Sequence, residues 1–453
     1  MRKRLDLSLF YIMCVILFAP IATAWSLGEV KIESSGFLRS SSERSNSTNT
    51  LQLGPKFRDI SDTSEYNVDL FGIVQISDRS SLTLEAPEIF FTMGTKAPNA
   101  TSENVVYGQH SLTIGRRNQN WSIADDIFEL GIFSPRFTWD PTRPRKVGLT
   151  GIFYEWKNPN WRFLAFGSYL NVPERGFPVK SENGKLVTSD PFAQQQYESA
   201  IVATRQIPIR YTITTPPTSE LILNPSGLMS ARYQESGDCG AFVQSNFGYL
   251  PINQINLSVL PSYILQQDVV DVQVYPTVLN HYLTSLEVGY RHSQFAVFAS
   301  HTYEVPDEWI MPELWVTPRI EPAQISSVGG DLFFTRNIRF RSALLYINED
   351  EKEKTVKQDF TVDLPNRFQF HRAARTALEV YGTQNLRYEL EWTRDLEFNS
   401  DLFSVDVFLQ FLKKSGALTL NLGSDFFTSS TGSGAIGRLK GNDRVRGGLA
   451  YAF

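Results

Sequence analysis

The densest chemistry in this sequence lies between Gly115 and Gly151, which reads GRRNQNWSIADDIFELGIFSPRFTWDPTRPRKVGLTG. Within it Arg116, Arg117, Arg136, Arg143, Arg145 and Lys146 are interleaved with Asp125, Asp126, Glu129 and Asp140, and with Trp121 and Trp139. Guanidinium and carboxylate groups at this density pair with one another or set up a fixed field. Pro135, Pro141 and Pro144 cannot donate to a β-ladder, so the spacing predicts a loop over 134–145 rather than a strand.

A second set of charges recurs at every other residue among apolar neighbours: Arg291, Arg339, Arg341, Arg387, Glu389, Glu391 and Asp406, with Glu287, Arg375, Glu379, Arg444 and Arg446 on the same pattern. A period of two puts them on one face of β-strands. They either cross-pair and stiffen a wall or line a charged water path. The histidines, at 110, 281, 292, 301 and 371, read as scattered over loops and turns, His301 on a strand, without metal-ligand spacing. There is no GxSxG and no phosphate loop. No catalytic residue, metal site or cofactor is expected, and the chain is not read as an enzyme.

The elements that must hold these charges are strands. Hydrophobic residues are 42% and aromatics 13% of the 453 residues, and mean hydropathy is −0.21. Tyr282, Leu286, Val288 and Tyr290 alternate with Ser285, Glu287 and Arg291; Leu386, Tyr388, Leu390 and Trp392 alternate with Arg387, Glu389 and Glu391; Phe403 to Phe411 and Leu418 to Leu422 do the same. Short turns are read near 77–80, 117–120, 158–160, 250–253, 292–293, 336–337, 383–385 and 413–416. Longer connections are read at 92–108, 134–145, 171–194, 216–238, 266–281, 305–324, 349–371 and 428–442. Short and long alternate, the mark of an up-and-down meander whose turns and loops face different compartments. Ile207-Pro208-Ile209 is the ambiguous step: as a turn it keeps the alternation, and as mid-strand it breaks it.

Arg2-Lys3-Arg4, the apolar run Leu7 to Ala19 and Ala22-Thr23-Ala24 predict a secretory signal cleaved near Ala24, leaving 25–453 as a single domain. Cys239 is then alone, so no internal disulfide forms. A net charge of −5 argues against a nucleic-acid partner.

The last strand, RVRGGLAYAF, has Val445, Leu449, Tyr451 and Phe453 on one face and ends on an aromatic. Its Arg446-x-Gly448-x-x-Tyr451-x-Phe453 resembles the assembly signal of Gram-negative outer-membrane β-barrels, which implies recognition by the barrel-assembly machinery and residence in the outer-membrane bilayer. The expected fold is all-β: a transmembrane antiparallel up-and-down barrel of about 18 strands, within 16–20, with short periplasmic turns, long extracellular loops and a lumen wide enough for water. Its terminal strand should pair with 417–427 on one side and the irregular segment 29–40 on the other. The loop 134–145 is expected either to fold inward with its charges facing across the channel or to stand outside, held by ion pairs and Trp packing.

The expected function is porin-like passive diffusion of small hydrophilic solutes. The alternatives are a substrate-specific transporter, for which residues 25–65 are a short, Ser-rich plug, and a non-conducting structural or surface-binding barrel. A soluble secreted β-sandwich or propeller is a further class. A wall facing lipid and a wall packed in a homo-trimer read alike.

Overall fold

A computed structural model describes residues 28–39, 47–60, 63–76, 81–94, 110–137, 140–172, 179–188, 192, 198–214, 216–235, 239–253, 255–307, 315–316, 320–349, 368–383, 385–413 and 416–452. The signal-like segment, Trp139 and Phe453 lie outside them. Eighteen strands form one antiparallel sheet. In chain order they are β1 (Gly28–Phe37), β2 (Ser47–Ile60), β3 (Ser64–Ile76), β4 (Ser81–Gly94), β5 (His110–Arg117) and β6 (Leu149–Lys157). Next come β7 (Trp161–Leu170), β8 (Leu223–Gln234), β9 (Gly240–Pro251), β10 (Asn280–Arg291), β11 (Phe295–Pro306) and β12 (Ala323–Thr335). The last six are β13 (Ile338–Glu349), β14 (Arg372–Thr383), β15 (Leu386–Asp395), β16 (Ser400–Lys413), β17 (Gly416–Ser429) and β18 (Arg444–Ala452).

Each strand pairs with its neighbours in this order, and β18 pairs with both β17 and β1, so the sheet closes. Glu29 lies opposite Ala452 and Phe37 opposite Arg444, so the irregular first segment is a full member of the barrel. Closure leaves no edge strand and satisfies the backbone without water.

Alternation sorts side chains by face. On β10, Tyr282 and Leu286 are each 52% exposed on the outside, while Glu287 between them and Val288 is 1% exposed inside. Outward aromatics form two belts: Tyr66, Tyr154, Trp161, Tyr290 and Tyr388 near the short-turn end, and Tyr169, Tyr282, Tyr303, Tyr346, Phe403 and Phe426 near the other. An apolar wall of this extent would aggregate in water, and between two aromatic belts it matches a bilayer.

The connections differ in places from their sequence reading. β3 ends and β4 begins at the long-loop end, where 396–399 also make a short turn, and β4 ends and β5 begins at the short-turn end. Residues 223–234, read as connection, are β8; Pro225 and Gly227 weaken their alternation, but pairing to β7 and β9 overrides local preference. Ser47 to Asn49, polar enough to suit a loop, open β2 instead. Of the histidines, His110, His281 and His301 sit on strands.

Ile207-Pro208-Ile209 is neither a barrel turn nor a barrel strand. It lies in a separate four-stranded sheet built by the long connections, ordered 199–202, 205–213, 269–277 and 256–264, with the middle pair parallel. Ala203 and Thr204 make its first turn at positive φ. Ile207, Ile209, Val259, Val270, Val272 and Val274 give it an apolar core of its own.

Candidate functional site: a loop across the lumen

Strand β5 is short and ends in a kink at Gly115, where φ is +127° and a Cβ would come within 2.2 Å of the Ile89 carbonyl oxygen. Only glycine lets β5 lie that close to β4 there. From Arg117 the chain turns into the barrel instead of away from it. The turn read at 117–120 therefore leads to helix α1 (Ile123–Phe128). Ser122 caps α1, its Oγ accepting from the Asp125 amide at 3.2 Å, and Glu129 ends it in the left-handed region at φ 54°.

The helix buries one face. Trp121, Ile127, Phe128, Ile132 and Phe133 join inward-pointing Phe153, Leu164, Phe166, Phe242, Leu283, Phe298 and Leu345 in one apolar cluster. Phe368 and Phe370 enter it from the 350–371 connection, and Ile436 from a short helix (Gly434–Arg438). The lumen is therefore not simply wide and wet: protein fills one sector of it. Burying these side chains, at about 25 cal/mol per Å² of apolar area, is what draws the loop inward.

Polar latches fix its register. Gln244 and Asn246 donate to the Trp121 carbonyl at 2.6 and 2.8 Å. Glu287 accepts from Ser122 Oγ at 2.6 Å and from the Ile123 amide at 2.9 Å. Arg375 donates to the Ile127 carbonyl at 2.5 Å and pairs with Glu391 at 2.6 Å and Glu129 at 3.4 Å. Inside the loop, the buried Asp125 carboxylate accepts from the amides of Ile132, Phe133 and Ser134 at 3.1–3.2 Å. Burial pushes its carboxyl up, opposed by Arg136 and these amides.

The returning half of the loop crosses to the opposite wall and meets the terminal strand. Arg143 Nη2 pairs with Asp406 at 2.6 Å and Asp425 at 3.2 Å. Arg444 pairs with Asp140 and with Asp425, each at 2.6 Å, and donates to Thr142 Oγ1 at 2.7 Å. Arg446 pairs with Asp425 at 2.9 Å and Asp406 at 3.0 Å. Three arginines and three aspartates thus alternate, with Asp425 fully buried at the centre. Burial acts to lower the Arg143 pKa, but Asp425 and Asp406 outweigh it and hold the guanidinium above its ordinary range.

Among the described residues, two spaces large enough for several waters lie against the loop. The larger, about 430 Å³, lies against β1–β3 and is lined by Glu29, Lys31, Glu33, Lys56, Asp69, Asp140, Arg143, Arg145, Arg444 and Arg446, with Phe137 and Phe192 at its sides. The smaller, about 330 Å³, lies between α1 and β8–β13 and is lined by Asp126, Arg232, Glu287, Arg291, Asp331 and Arg341.

Of the charges read from the sequence stretch, Asp140, Arg143 and Arg145 face the larger space and Asp126 the smaller. Arg145 stacks over the Phe71 ring at 4.0 Å beside Asp69. Arg116 is tied to Glu85 and to the Gly148 carbonyl, and Arg117 lies over Phe90. Arg136 is buried within the loop, bonded to the Asp125 carbonyl at 3.0 Å. On the wall, Arg339 and Arg341 clamp Asp331, Arg387 pairs with Glu389, Glu391 holds Arg375 and Asp406 holds Arg446. Gly448 sits on the inner face of β18 and Tyr451 on the outer parity.

Sequence reasoning missed Asp425 and the lumenal charges of the β1–β3 wall. Asp425 stands on the inward parity of β17, seven residues past the Leu418 that begins the visible alternation. Reading that parity to the strand's end would have found it.

No family model matches the chain, and no curated protein matches it either. Solved structures do. A Salmonella typhi OmpF complex with daunomycin is similar at 9% identity and TM-score 0.39, covering 94% of this chain and 96% of that one. Acinetobacter baumannii OccAB3 is similar at 11% identity and TM-score 0.43, over 94% and 98%. Pseudomonas aeruginosa OccK5 (OpdH) is similar at 10% identity and TM-score 0.43, over 94% and 97%. On its own strand pairing, the chain is a closed, 18-stranded antiparallel barrel with a loop folded across its lumen.

Proposed function

We propose that this protein is a porin-like channel of the bacterial outer membrane, through which small hydrophilic solutes diffuse passively. The observation that carries this reading is the larger lumenal space: about 430 Å³, lined by charges of both signs on facing walls. Lys31 and Lys56 pair with Glu33 and Glu29 along one wall, and Asp140 and Arg143 stand on the loop opposite. A charged or dipolar solute passing between them stays solvated by fixed groups, while an apolar one gains nothing. The apolar outer wall supports a bilayer as partner, and the N-terminal segment 1–24 fits export before insertion. In planar bilayers the purified protein should give ohmic conductance steps with measurable ion selectivity. Silent insertion, with the barrel folded, would leave a structural or surface-binding barrel, for which the separate sheet of long connections is the observation in favour.

The terminal signal is read as an assembly feature that the barrel-assembly machinery recognises, separate from the channel. Phe453→Ser should reduce outer-membrane insertion strongly while leaving the conductance of the inserted fraction at the wild-type value. Quantifying heat-modifiable protein in membranes checks it, and equal insertion would remove the motif's support.

A further inference from the structure

Outward-facing charge is scarce on this barrel. Among the described barrel residues it gathers at the long-loop rim of β14–β16, as Arg372, Arg394 and Asp401. Arg372 lies opposite Tyr346 in register, its guanidinium 5.3 Å from the centre of the exposed ring. Arg394 lies opposite Ala374, which makes the two arginines diagonal neighbours, with side chains roughly 7–8 Å apart at their bases. Both stand level with Tyr346, Trp392 and Phe403, the belt where hydrocarbon gives way to headgroups.

The local carboxylate does not balance them. Asp401 Oδ1 is 3.9 Å from Arg394 Nη1 and already accepts the Trp392 indole N–H at 3.0 Å. Arg394 also reaches Asn399 Oδ1, at 3.5 Å. On the outward face of the strands two guanidiniums stand against one carboxylate, Glu397 of the adjoining turn facing His371 instead, and Arg372 is exposed on an aromatic floor. A cation there needs an anion, and the bilayer supplies one in its phosphates.

We propose that Arg372 and Arg394, with the Tyr346 ring beneath, form a binding site for the phosphate of an anionic membrane lipid. This inference rests on the barrel's standing in a bilayer and is independent of whether it conducts. The spacing suits one phosphate bridging two guanidiniums while an acyl chain lies along the apolar wall below. The belt position separates it from the lumenal charges, which no lipid chain reaches.

The test is native mass spectrometry of the whole barrel in detergent, with lipid A, a diphosphorylated glycolipid, against zwitterionic phosphatidylcholine. Wild-type protein should retain lipid A at least roughly fivefold better than phosphatidylcholine, from two basic side chains acting at the surface. R372Q/R394Q should fall to the phosphatidylcholine level, and D401N should retain at least as much lipid A as wild type. Equal retention of both lipids by wild type overturns the proposal and requires no variant. So does unchanged retention by R372Q/R394Q that still shows the heat-modifiable mobility of a folded barrel. Displacement of lipid A by millimolar inorganic phosphate would also overturn it, since the site would then belong to a free anion. Bilayer conductance, measured on the same samples, reports on the channel separately.

Discussion

Asp425→Asn should destabilise the barrel by about 3–5 kcal/mol, the range for removing one partner of a buried charge network. The neutral side chain leaves Arg143, Arg444 and Arg446 facing two carboxylates, Asp406 and Asp140, in place of three. Arg444 and Arg446 are only 3% and 4% exposed at the edge of the larger space, so water replaces little of what is lost. Ser404 loses a charged acceptor at 2.8 Å as well. Equilibrium unfolding from lipid vesicles in guanidinium, followed by tryptophan fluorescence, measures the change. A loss below about 0.5 kcal/mol would place Asp425 with ordinary surface sites.

Arg143→Gln identifies which part of the network matters. Its side chain is 34% exposed, so it should cost much less alone. Because Arg143 is the loop's cation in the network and pairs with Asp425 directly, the two substitutions should couple by about 0.5–3 kcal/mol. Strict additivity would mean that Arg143 does not hold the loop through Asp425, leaving Asp140 and Thr142 on Arg444 as its attachment.

How far the sequence carried this architecture depends on what each residue has to satisfy. Wherever one face met lipid and the other water, as in β10, β15 and β16, hydropathy alternated and the strands were legible. Closure and the pairing of the terminal strand followed from that pattern; the count of about 18 agrees as well, although 223–234 reads as connection and segments outside the barrel read as strands. Legibility failed where the inner face is also apolar. Phe153, Leu164, Phe166, Phe242 and Phe298 point inward because α1 packs on them, and a strand apolar on both faces does not announce a loop in the lumen. It failed again for 205–213 and 256–264, which the turn spacing placed in the barrel, and for 269–277, which read as connection; all three pair in the separate sheet. Partner choice is non-local, and β-propensity carries no information about it. For the site, residue types were legible and pairing was not. Asp125 and Arg136 were grouped with Asp140 and Arg143, yet hydrogen bonding turns the first pair into internal fasteners of the loop and leaves the second on the water.

That division of labour makes the loop separable, and removing Phe137 to Arg143 tests it. Arg136 pairs with Lys146 and Phe137 with Arg145, so the ends of the excised piece already lie side by side. The half that carries α1 keeps its latches to Gln244, Asn246, Glu287 and Arg375 and its apolar burial. The deletion takes out one acid, Asp140, and one base, Arg143, so Arg444 and Arg446 still face Asp406 and Asp425 in balance. Folding should survive, at the cost of Phe137 and its packing on Phe71, Ile73 and Val147. The larger space then loses its inner wall. Single-channel conductance should rise at least about twofold, because a barrel of this strand number is wide once its loop is trimmed. Ion selectivity should shift as well, since Asp140 and Arg143 would no longer face Lys31, Lys56, Glu29 and Glu33 across the space. Unchanged conductance in a folded deletion variant would mean that solutes pass elsewhere, with the space between α1 and β8–β13 the next candidate, and Arg291 and Arg341 the side chains to replace first.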